Sequence, residues 1–251
     1  VEIDTKAFPK PPIFDLIQKN GDISMKEMYN VFNMGLGFVM AVDPADVEKV
    51  QAALNEINEP SYVVGKVTET GQVETILSHI EDGSLHVNCA CLIADKENAY
   101  ARVRAHNHGV EEFYFNPKGY DGKAGYEAAI LEVLKEKKVD LIVLSGYMRF
   151  IGHTLLSAYP NRIINLHPAY LPEFPGAHSI ADAYEAKVAQ TGVTVHFVDE
   201  GVDTGPIIRQ ERVAIDPSWD LETLESHVHA MEYDLFWQVI EQVAKSIEEE
   251  K

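Results

Sequence analysis

Two groups of polar residues have the types and spacing of an active site. Residues 165–168 (Asn-Leu-His-Pro) follow an apolar run, and residues 196–205 combine a histidine with an acidic, glycine-containing turn. An amide can donate a hydrogen bond to a developing oxyanion, and an imidazole oriented by a carboxylate can give or take a proton. Asn165, His167 and Asp203 therefore suit acyl transfer by direct attack, and the sequence has no Gly-x-Ser-x-Gly nucleophile motif.

The surrounding pattern predicts an α/β fold in which a mostly parallel, doubly wound sheet carries these residues. Ile163 and Ile164 begin a buried strand whose carboxyl end holds Asn165 and His167, and open α/β sheets bind ligands at that end. The other elements are strands at 87–94, 110–115 and 141–144, helices at 98–108, 126–138 and 153–159, an antiparallel pair at 194–198 and 206–215, and a final helix at 221–247.

Each of these residues also has a purely structural interpretation. A single Asn, His or Asp at a strand end is more often a cap or a turn residue than a catalyst, so the prediction depends on the combination. His196 lies inside a strand pattern, and we interpret it as a structural residue that is hydrogen-bonded to its neighbours.

Residues 163–176, 192–198 and 203–208 closely resemble glycinamide ribonucleotide formyltransferase of purine synthesis, and the similarity covers roughly residues 75–247. The resemblance implies transfer of a formyl group from the co-substrate 10-formyltetrahydrofolate to the amine of glycinamide ribonucleotide, with no metal. It implies that Asn165, His167 and Asp203 are the catalytic trio.

The same resemblance assigns binding residues. It places folate at a loop containing Met148, Arg149, Phe150 and Ile151, with Lys123 as a basic residue near the folate. It makes Glu232 a contact of the glycinamide substrate. One small departure is Ala169-Tyr170, where the family usually has Ser-Leu.

A larger departure precedes the formyltransferase-like part. The family begins with a strand and a glycine-rich loop that holds the substrate phosphate at a helix N-terminus. No such loop comes before Thr75, so we expect a domain at 75–251 that lacks the usual first strand and phosphate loop. A break in the backbone between Glu74 and Thr75 would indicate missing residues, and a continuous backbone a truly shortened domain.

Residues 1–74 resemble the C-terminal end of aminoimidazole ribonucleotide synthetase, through residues 11–17 and 27–37. The ATP-binding half of that family has no counterpart here, so the resemblance implies a small α+β packing fragment without activity. The segment predicts strands at 38–42 and 61–67, a helix from Asp43 to about residue 57, and a linker at 68–74.

A capping box at residues 24–27 predicts a helix with an apolar stripe of Met28, Val31 and Phe32. A segment of this size buries only a small core, so the stripe needs a cover. We expect the second half of the chain, a missing partner or another copy of the chain to provide it. Cover by another copy would make the protein a homo-oligomer through residues 1–74.

Composition limits the class of protein. The formal net charge of −19 disfavours nucleic acid, including the tRNA of methionyl-tRNA formyltransferase. No apolar run is long enough for a membrane and no signal peptide is evident, which predicts a soluble, cytoplasmic protein. Cys89 and Cys91 are expected to be reduced core residues, and no metal site is predicted.

Two alternative functions remain open at this stage. Formyltetrahydrofolate deformylase would use the same trio with water as the nucleophile, although residues 1–74 do not resemble its N-terminal regulatory domain. A non-catalytic, truncated fusion would only bind folate or a partner.

Overall fold

The chain folds into two compact units, divided between residues 69 and 70. The computed structural model describes residues 2–21, 23–66 and 71–250. No helix in these ranges is long and apolar enough to cross a membrane.

The first unit combines helices with a short antiparallel sheet. Its described elements are β1 (Glu2–Ile3), α1 (Pro12–Gly21), α2 (Met25–Val31), a 3-10 turn (Pro44–Asp46), α3 (Val47–Glu56) and β2 (Gly65–Lys66). β1 and β2 pair antiparallel. Asp43 accepts a hydrogen bond from the N–H of Ala45 at 2.9 Å, which confirms the predicted proline-started helix.

The predicted strand at 38–42 is wrong. These residues form no strand, and the side chain of Phe38 is 82% exposed. A strand needs a neighbour for its backbone groups, and the first unit provides none here among its described residues. The predicted strand at 61–67 is likewise shorter in the structure, where only Gly65 and Lys66 (β2) have a strand partner. Val67 lies outside the described residues.

The three residues of the apolar stripe do not share one environment. Met28 is fully buried and Val31 is 62% exposed. The ring of Phe32 lies 6.0 Å from that of Phe14, within the same unit. The stripe is therefore not the continuous surface that we expected for self-association.

The second unit begins with a helix that crosses the predicted domain boundary. α4 spans Gln72–Glu81, and the N–H of Thr75 donates to the carbonyl of Gly71 at 3.0 Å. Helix α4 therefore runs through the predicted junction between Glu74 and Thr75. The predicted linker at 68–74 is partly wrong, because residues 72–74 are helical and residues 68–70 lie outside the described ranges.

The second unit alternates strands and helices as the sequence predicts. After α4 come β3 (Leu92–Ala94), α5 (Tyr100–Asn107), β4 (Glu112–Tyr114), a 3-10 turn (Pro117–Gly119), α6 (Gly122–Glu136), β5 (Ile142–Leu144), α7 (His153–Ala158), β6 (Ile163–His167), α8 (Ser179–Glu185), β7 (Gln190–Phe197), β8 (Ile207–Ala214) and α9 (Leu221–Glu249). Asp220 caps α9 by accepting from the N–H of Thr223.

The strands of the second unit form two sheets. β3 and β4 are parallel. In the other sheet the order is β5-β6-β7-β8, with β5 and β6 parallel and the remaining pairs antiparallel. β3 has only three residues, although the sequence predicted a strand over 87–94.

Two apolar clusters cover the two faces of β6. Ile164 packs with Leu235 and Phe236 of α9, and Ile163 packs with Ile130 of α6. Successive residues of a strand point to opposite faces, so Ile163 and Ile164 belong to different clusters. β6 is therefore packed on both faces, and the polar residues Asn165 and His167 lie at its end.

Candidate active site

Cross-strand pairing brings the predicted polar residues together. Asn165 and His167 lie two residues apart on β6 and share a face. The antiparallel register places His196 of β7 directly opposite Asn165. Asn165 Nδ2 is 3.3 Å from His196 Nε2.

Asp203 joins the cluster from the turn after β7. Its Oδ2 lies 3.4 Å from His167 Nδ1, and its Oδ1 lies 3.6 Å from His196 Nε2. The N–H of Gly176 donates to Oδ2 at 2.9 Å. The structure thus places the partly buried Asn165 and Asp203 in one cluster with the buried His167 and His196.

The environment keeps Asp203 ionised. The hydrogen bond from His196 lowers the pKa of this carboxyl below its usual value, and the Gly176 N–H and the charge of His167 act in the same direction. Burial opposes the shift but does not overcome it. A carboxylate at this position can orient an imidazole and accept a proton.

The turn that carries Asp203 requires a glycine. A Cβ on Gly205 would come 1.8 Å from the carbonyl oxygen of Phe197, so no other residue fits there without moving the backbone. Asp199 supports the turn by accepting from Thr204 Oγ1 at 2.8 Å and from the N–H of Gly201 at 3.0 Å.

Oxygen atoms face both ring nitrogens of His167. Nε2 lies 2.9 Å from the carbonyl of Phe174, and Nδ1 faces Asp203. Only the doubly protonated ring can donate to both oxygens. The side chain is 5% exposed, so water contributes little to either contact.

His196 is more than the structural residue that the sequence suggested. Its Nδ1 lies 2.8 Å from the carbonyl of Phe197, so it is hydrogen-bonded to a neighbour as expected. Because a carbonyl only accepts, Nδ1 carries a proton. Nε2 then accepts from Asn165 in the neutral ring, or donates to Asp203 in the charged ring. The local sequence pattern did not reveal this bridging position.

The predicted folate loop lies beside the turn that holds Asp203. Tyr147, Ile151 and Val198 belong to one apolar cluster, and His153 Nδ1 lies 3.8 Å from Glu200 Oε1. The loop and the turn therefore border the same region of the surface.

Within this loop the four predicted residues have different environments. Met148 and Phe150 are 74% and 67% exposed, whereas Ile151 is buried. Arg149 Nε donates to Asp95 Oδ2 at 2.7 Å. Two exposed apolar side chains beside a polar cluster suit a flat ring with polar edges.

Lys123 lies close to the end of the loop. It is exposed in the first turn of α6, and its Cε would be 2.9 Å from a Cβ on Gly152. Glu127, one turn further along α6, accepts from the N–H of Gly152 at 2.5 Å. The side chain of Lys123 therefore lies beside Gly152, the residue that follows Ile151 in the chain.

Glu232 lines a separate pocket of about 260 Å³ near the carboxyl end of β5. Its Oε2 is 2.8 Å from Nδ1 of His229, and this hydrogen bond raises the pKa of the imidazole. The pocket is also lined by Gln72, Val73, Ala101, Arg104, Ser145, Gly146 and Tyr233. Leu144 is paired with Asn165, so the end of β5 and the polar cluster lie on adjacent strands.

Two protein-family models match the chain. Residues 63–240 match the formyl transferase family. The chain belongs to this family. Residues 1–78 also match the C-terminal domain of AIR synthase related proteins. The two matches overlap at residues 63–78, and the boundary between Glu74 and Thr75 stays a prediction.

The curated relatives include single-activity and multifunctional proteins. A phosphoribosylglycinamide formyltransferase of Bacillus subtilis is 44% identical over 170 residues, covering 68% of this chain and 87% of the relative. The trifunctional purine biosynthetic protein adenosine-3 of Drosophila melanogaster is 30% identical over 279 aligned positions. That alignment covers 94% of this chain but 20% of the relative, so the chain spans about a fifth of that protein's length.

Solved structures of the formyl transferase family have a similar fold. The glycinamide ribonucleotide transformylase 1 of Geobacillus kaustophilus is 45% identical, with a TM-score of 0.67 over 68% of this chain and 92% of that one. The phosphoribosylglycinamide formyltransferase of Streptococcus pneumoniae is 43% identical, with a TM-score of 0.64 over 69% and 94%. The predicted α/β fold is confirmed, with parallel pairing of β3 with β4 and of β5 with β6.

Proposed function

We propose that the protein transfers a formyl group from 10-formyltetrahydrofolate to the amine of glycinamide ribonucleotide. The observation that carries this proposal is the partly buried cluster of Asn165, His167 and Asp203 beside a loop with exposed apolar side chains. The names of the relatives, which are formyltransferases acting on phosphoribosylglycinamide, support the same reaction.

The cluster can perform the transfer without a covalent intermediate. The amine nitrogen attacks the formyl carbon, and the carbonyl oxygen becomes an oxyanion that accepts a hydrogen bond from Asn165 Nδ2 and is stabilised by the positive charge of the nearby protonated His167. The bond from the formyl carbon to the folate nitrogen then breaks. The proton lost by the amine reaches that nitrogen through a water molecule that is hydrogen-bonded to Asp203, and the ionised Asp203 carboxylate also holds His167 in place.

The pocket beside β5 suits the ribonucleotide. Glu232 can accept hydrogen bonds from amine or hydroxyl groups, and Arg104 and the first residues of α4 line the same pocket. The N–H groups at a helix N-terminus and a guanidinium both favour an anion, so a phosphate fits there. Met148, Phe150 and Lys123 are our proposed folate contacts.

The trio can be tested by single substitutions with both substrates present. Loss of one oxyanion donor typically lowers the rate by about 10²–10³, so Asn165→Ala and His167→Ala should each lower turnover by that order, and Asp203→Ala should also lower it, with folate affinity little changed. His86→Ala is the matched control, because His86 is an exposed histidine bonded to Glu241. Near-normal turnover of His167→Ala would exclude the mechanism.

Hydrolysis of 10-formyltetrahydrofolate is a second candidate. It is favoured by one observation: no glycine-rich phosphate loop precedes α4, whereas the residues proposed for folate and chemistry are present. Release of formate without glycinamide ribonucleotide, at a rate that the ribonucleotide does not change, would support hydrolysis. Formate release only at background rates, together with formylated product, would support transfer.

A cytoplasmic location and a homo-oligomer through residues 1–74 also belong to this proposal. Light scattering of the purified chain measures its mass, and a monomer would exclude the oligomer.

A further inference from the structure

The loop of residues 168–176, which we call the clamp loop, contacts two of the proposed catalytic side chains through its backbone. The carbonyl of Phe174 lies 2.9 Å from His167 Nε2, and the N–H of Gly176 donates to Asp203 Oδ2 at 2.9 Å. The Gly176 hydrogen bond is one of the interactions that lower the pKa of Asp203. Whatever fixes the backbone of the clamp loop therefore also sets the surroundings of these two side chains.

Packing on the outer side of the clamp loop is incomplete. An open cavity of about 540 Å³ is lined by Glu173, Phe174 and residues 188–190. Phe174 is only half-buried there. Close packing against neighbouring side chains normally keeps a residue of the interior in one position. Because a cavity replaces such packing beside Phe174, contacts on another side of the loop have to hold it.

A polar pair on β7 and β8 provides contacts of this kind at the start of the clamp loop. Thr194 is fully buried, and its Oγ1 accepts from the N–H of Leu171 at 3.0 Å and donates to the carbonyl of Ala169 at 2.7 Å. Gln210 lies opposite Thr194 in the sheet. Its Nε2 donates to the carbonyl of Leu171 at 2.8 Å and to Thr194 Oγ1 at 2.9 Å. Both backbone groups of Leu171 are thus bonded to side chains of the sheet.

The hydrogen-bonding capacity of this pair is fully used. A hydroxyl has one proton and two lone pairs, and a side-chain amide nitrogen has two protons. The Thr194 hydroxyl donates once and accepts twice, and Nε2 of Gln210 donates twice. A glutamate of the same shape only accepts when it is ionised, and a methionine of similar length donates no hydrogen bond. The two contacts therefore require the amide of a glutamine at position 210.

The restraint on Leu171 continues along the backbone toward the active site. Leu171 is buried, and the N–H of Glu173 donates to the carbonyl of Tyr170 at 3.0 Å. This hydrogen bond closes a turn around Leu171. Phe174 is the residue that follows the turn, so the position of its carbonyl depends on how the turn is held.

We propose that Gln210 is a positioning residue for formyl transfer. Through the clamp loop it sets the position of the Phe174 carbonyl against His167. It sets the position of the Gly176 N–H against Asp203 in the same way. The inference rests on the proposed function, because it takes His167 and Asp203 as the groups that serve the transfer.

Steady-state kinetics with both substrates test this role. Gln210→Met keeps the length of the side chain and removes both donors, and kcat should fall by about 10²-fold, since small displacements of catalytic groups have effects of this size. The KM values for the folate and for the ribonucleotide should stay constant, because Gln210 lies outside both proposed binding regions. The control is Gln242→Met, the same substitution at an exposed position of α9. Near-normal kcat in a folded Gln210→Met variant, or an effect on KM alone, would overturn the proposal.

A second measurement needs no substrate, which separates this proposal from the proposed function. In protein labelled at the glycine nitrogens, the amide of Gly176 should exchange at least about tenfold faster in Gln210→Met than in the original chain, since its hydrogen bond to Asp203 is weakened. The amide of Gly109, which donates to His106, should not change. A Gly176 amide that does not respond would contradict this inference. Failure of the original chain to transfer formyl groups would instead contradict the proposed function.

The original chain offers a further test that does not depend on a folded variant. Both Nε2 protons of Gln210 are hydrogen-bonded, so they should exchange with solvent at least about tenfold more slowly than those of the exposed Gln242. Circular dichroism shows whether Gln210→Met is folded. If it is not, the comparison of the two side-chain amides decides the question. Equal exchange rates would mean that Gln210 does not hold Leu171 and would overturn the proposal.

Discussion

At the scale of single residues, His196 connects the two sides of the candidate active site. It approaches both Asn165 and Asp203, so it can position the proposed oxyanion donor and the carboxylate together. We predict that His196→Ala lowers kcat by up to about 10²-fold, because small displacements of catalytic groups have effects of this size. Folate affinity should stay constant. Steady-state kinetics with His86→Ala as the control checks this, and a change in KM alone would argue against a positioning role.

The pair of His229 and Glu232 should make stability depend on pH. The hydrogen bond to Glu232 raises the pKa of His229 in the folded protein. The stabilisation is therefore fully present below the unfolded pKa of about 6.5 and is lost as the pH rises through the higher folded pKa. Glu232→Gln should remove this dependence. Urea unfolding between about pH 6 and about pH 9 measures it, and an identical pH profile in the variant would contradict the coupling.

Cys89 should be unreactive at neutral pH. Burial raises the pKa of its thiol to about 11, and burial also raises that of Cys91. Both cysteines are free, and both are half-buried where the sequence suggested core residues. We expect slow alkylation by iodoacetamide at about pH 8 in the folded chain and fast alkylation in urea. Mass spectrometry of the modified peptides distinguishes the two, and rapid modification of folded Cys89 would be inconsistent with this burial.

The sequence was most informative about residues that are close together along the chain. The two-residue spacing of Asn165 and His167 places them on one face of a strand, which follows from strand geometry alone. The bridging position of His196 depends on the register between β6 and β7, and no local pattern specifies that register.

At the scale of elements, the type of most helices and strands was predictable, but strand lengths were not. The helical period over residues 126–138 corresponds to α6, and the apolar run at 141–144 corresponds to β5. Residues 87–91 (Val-Asn-Cys-Ala-Cys) belong to a segment that the sequence also predicts to be a strand, and they form none. Periodicity reports which side chains are buried, whereas a strand also requires a partner for its backbone.

Amide exchange should reveal this difference between elements. β6 is paired on both sides and buried, so its amides should exchange slowly. Residues 87–91 have no ladder partner in the described sheets and should exchange faster by orders of magnitude. Exchange followed by mass spectrometry on peptides from both segments tests this. Equal protection would mean that residues 87–91 are paired after all.

At the scale of the whole molecule, the division into two units predicts two separate unfolding events. Each unit is compact by itself, and the largest described core surrounds Phe236 of α9 in the second unit. Truncation of a buried phenylalanine costs about 3–5 kcal/mol, so Phe236→Ala should strongly destabilise the second unit. The first unit, in which Met28 is buried, should keep its own midpoint. Amide hydrogen exchange is measured at increasing urea concentrations, for peptides from residues 23–31 and 235–247. The two peptides report the unfolding midpoints of the first and the second unit separately. Met28→Ala is the reciprocal variant and should shift only the first midpoint. If either substitution shifts both midpoints equally, the units unfold together, and the fusion is one cooperative structure.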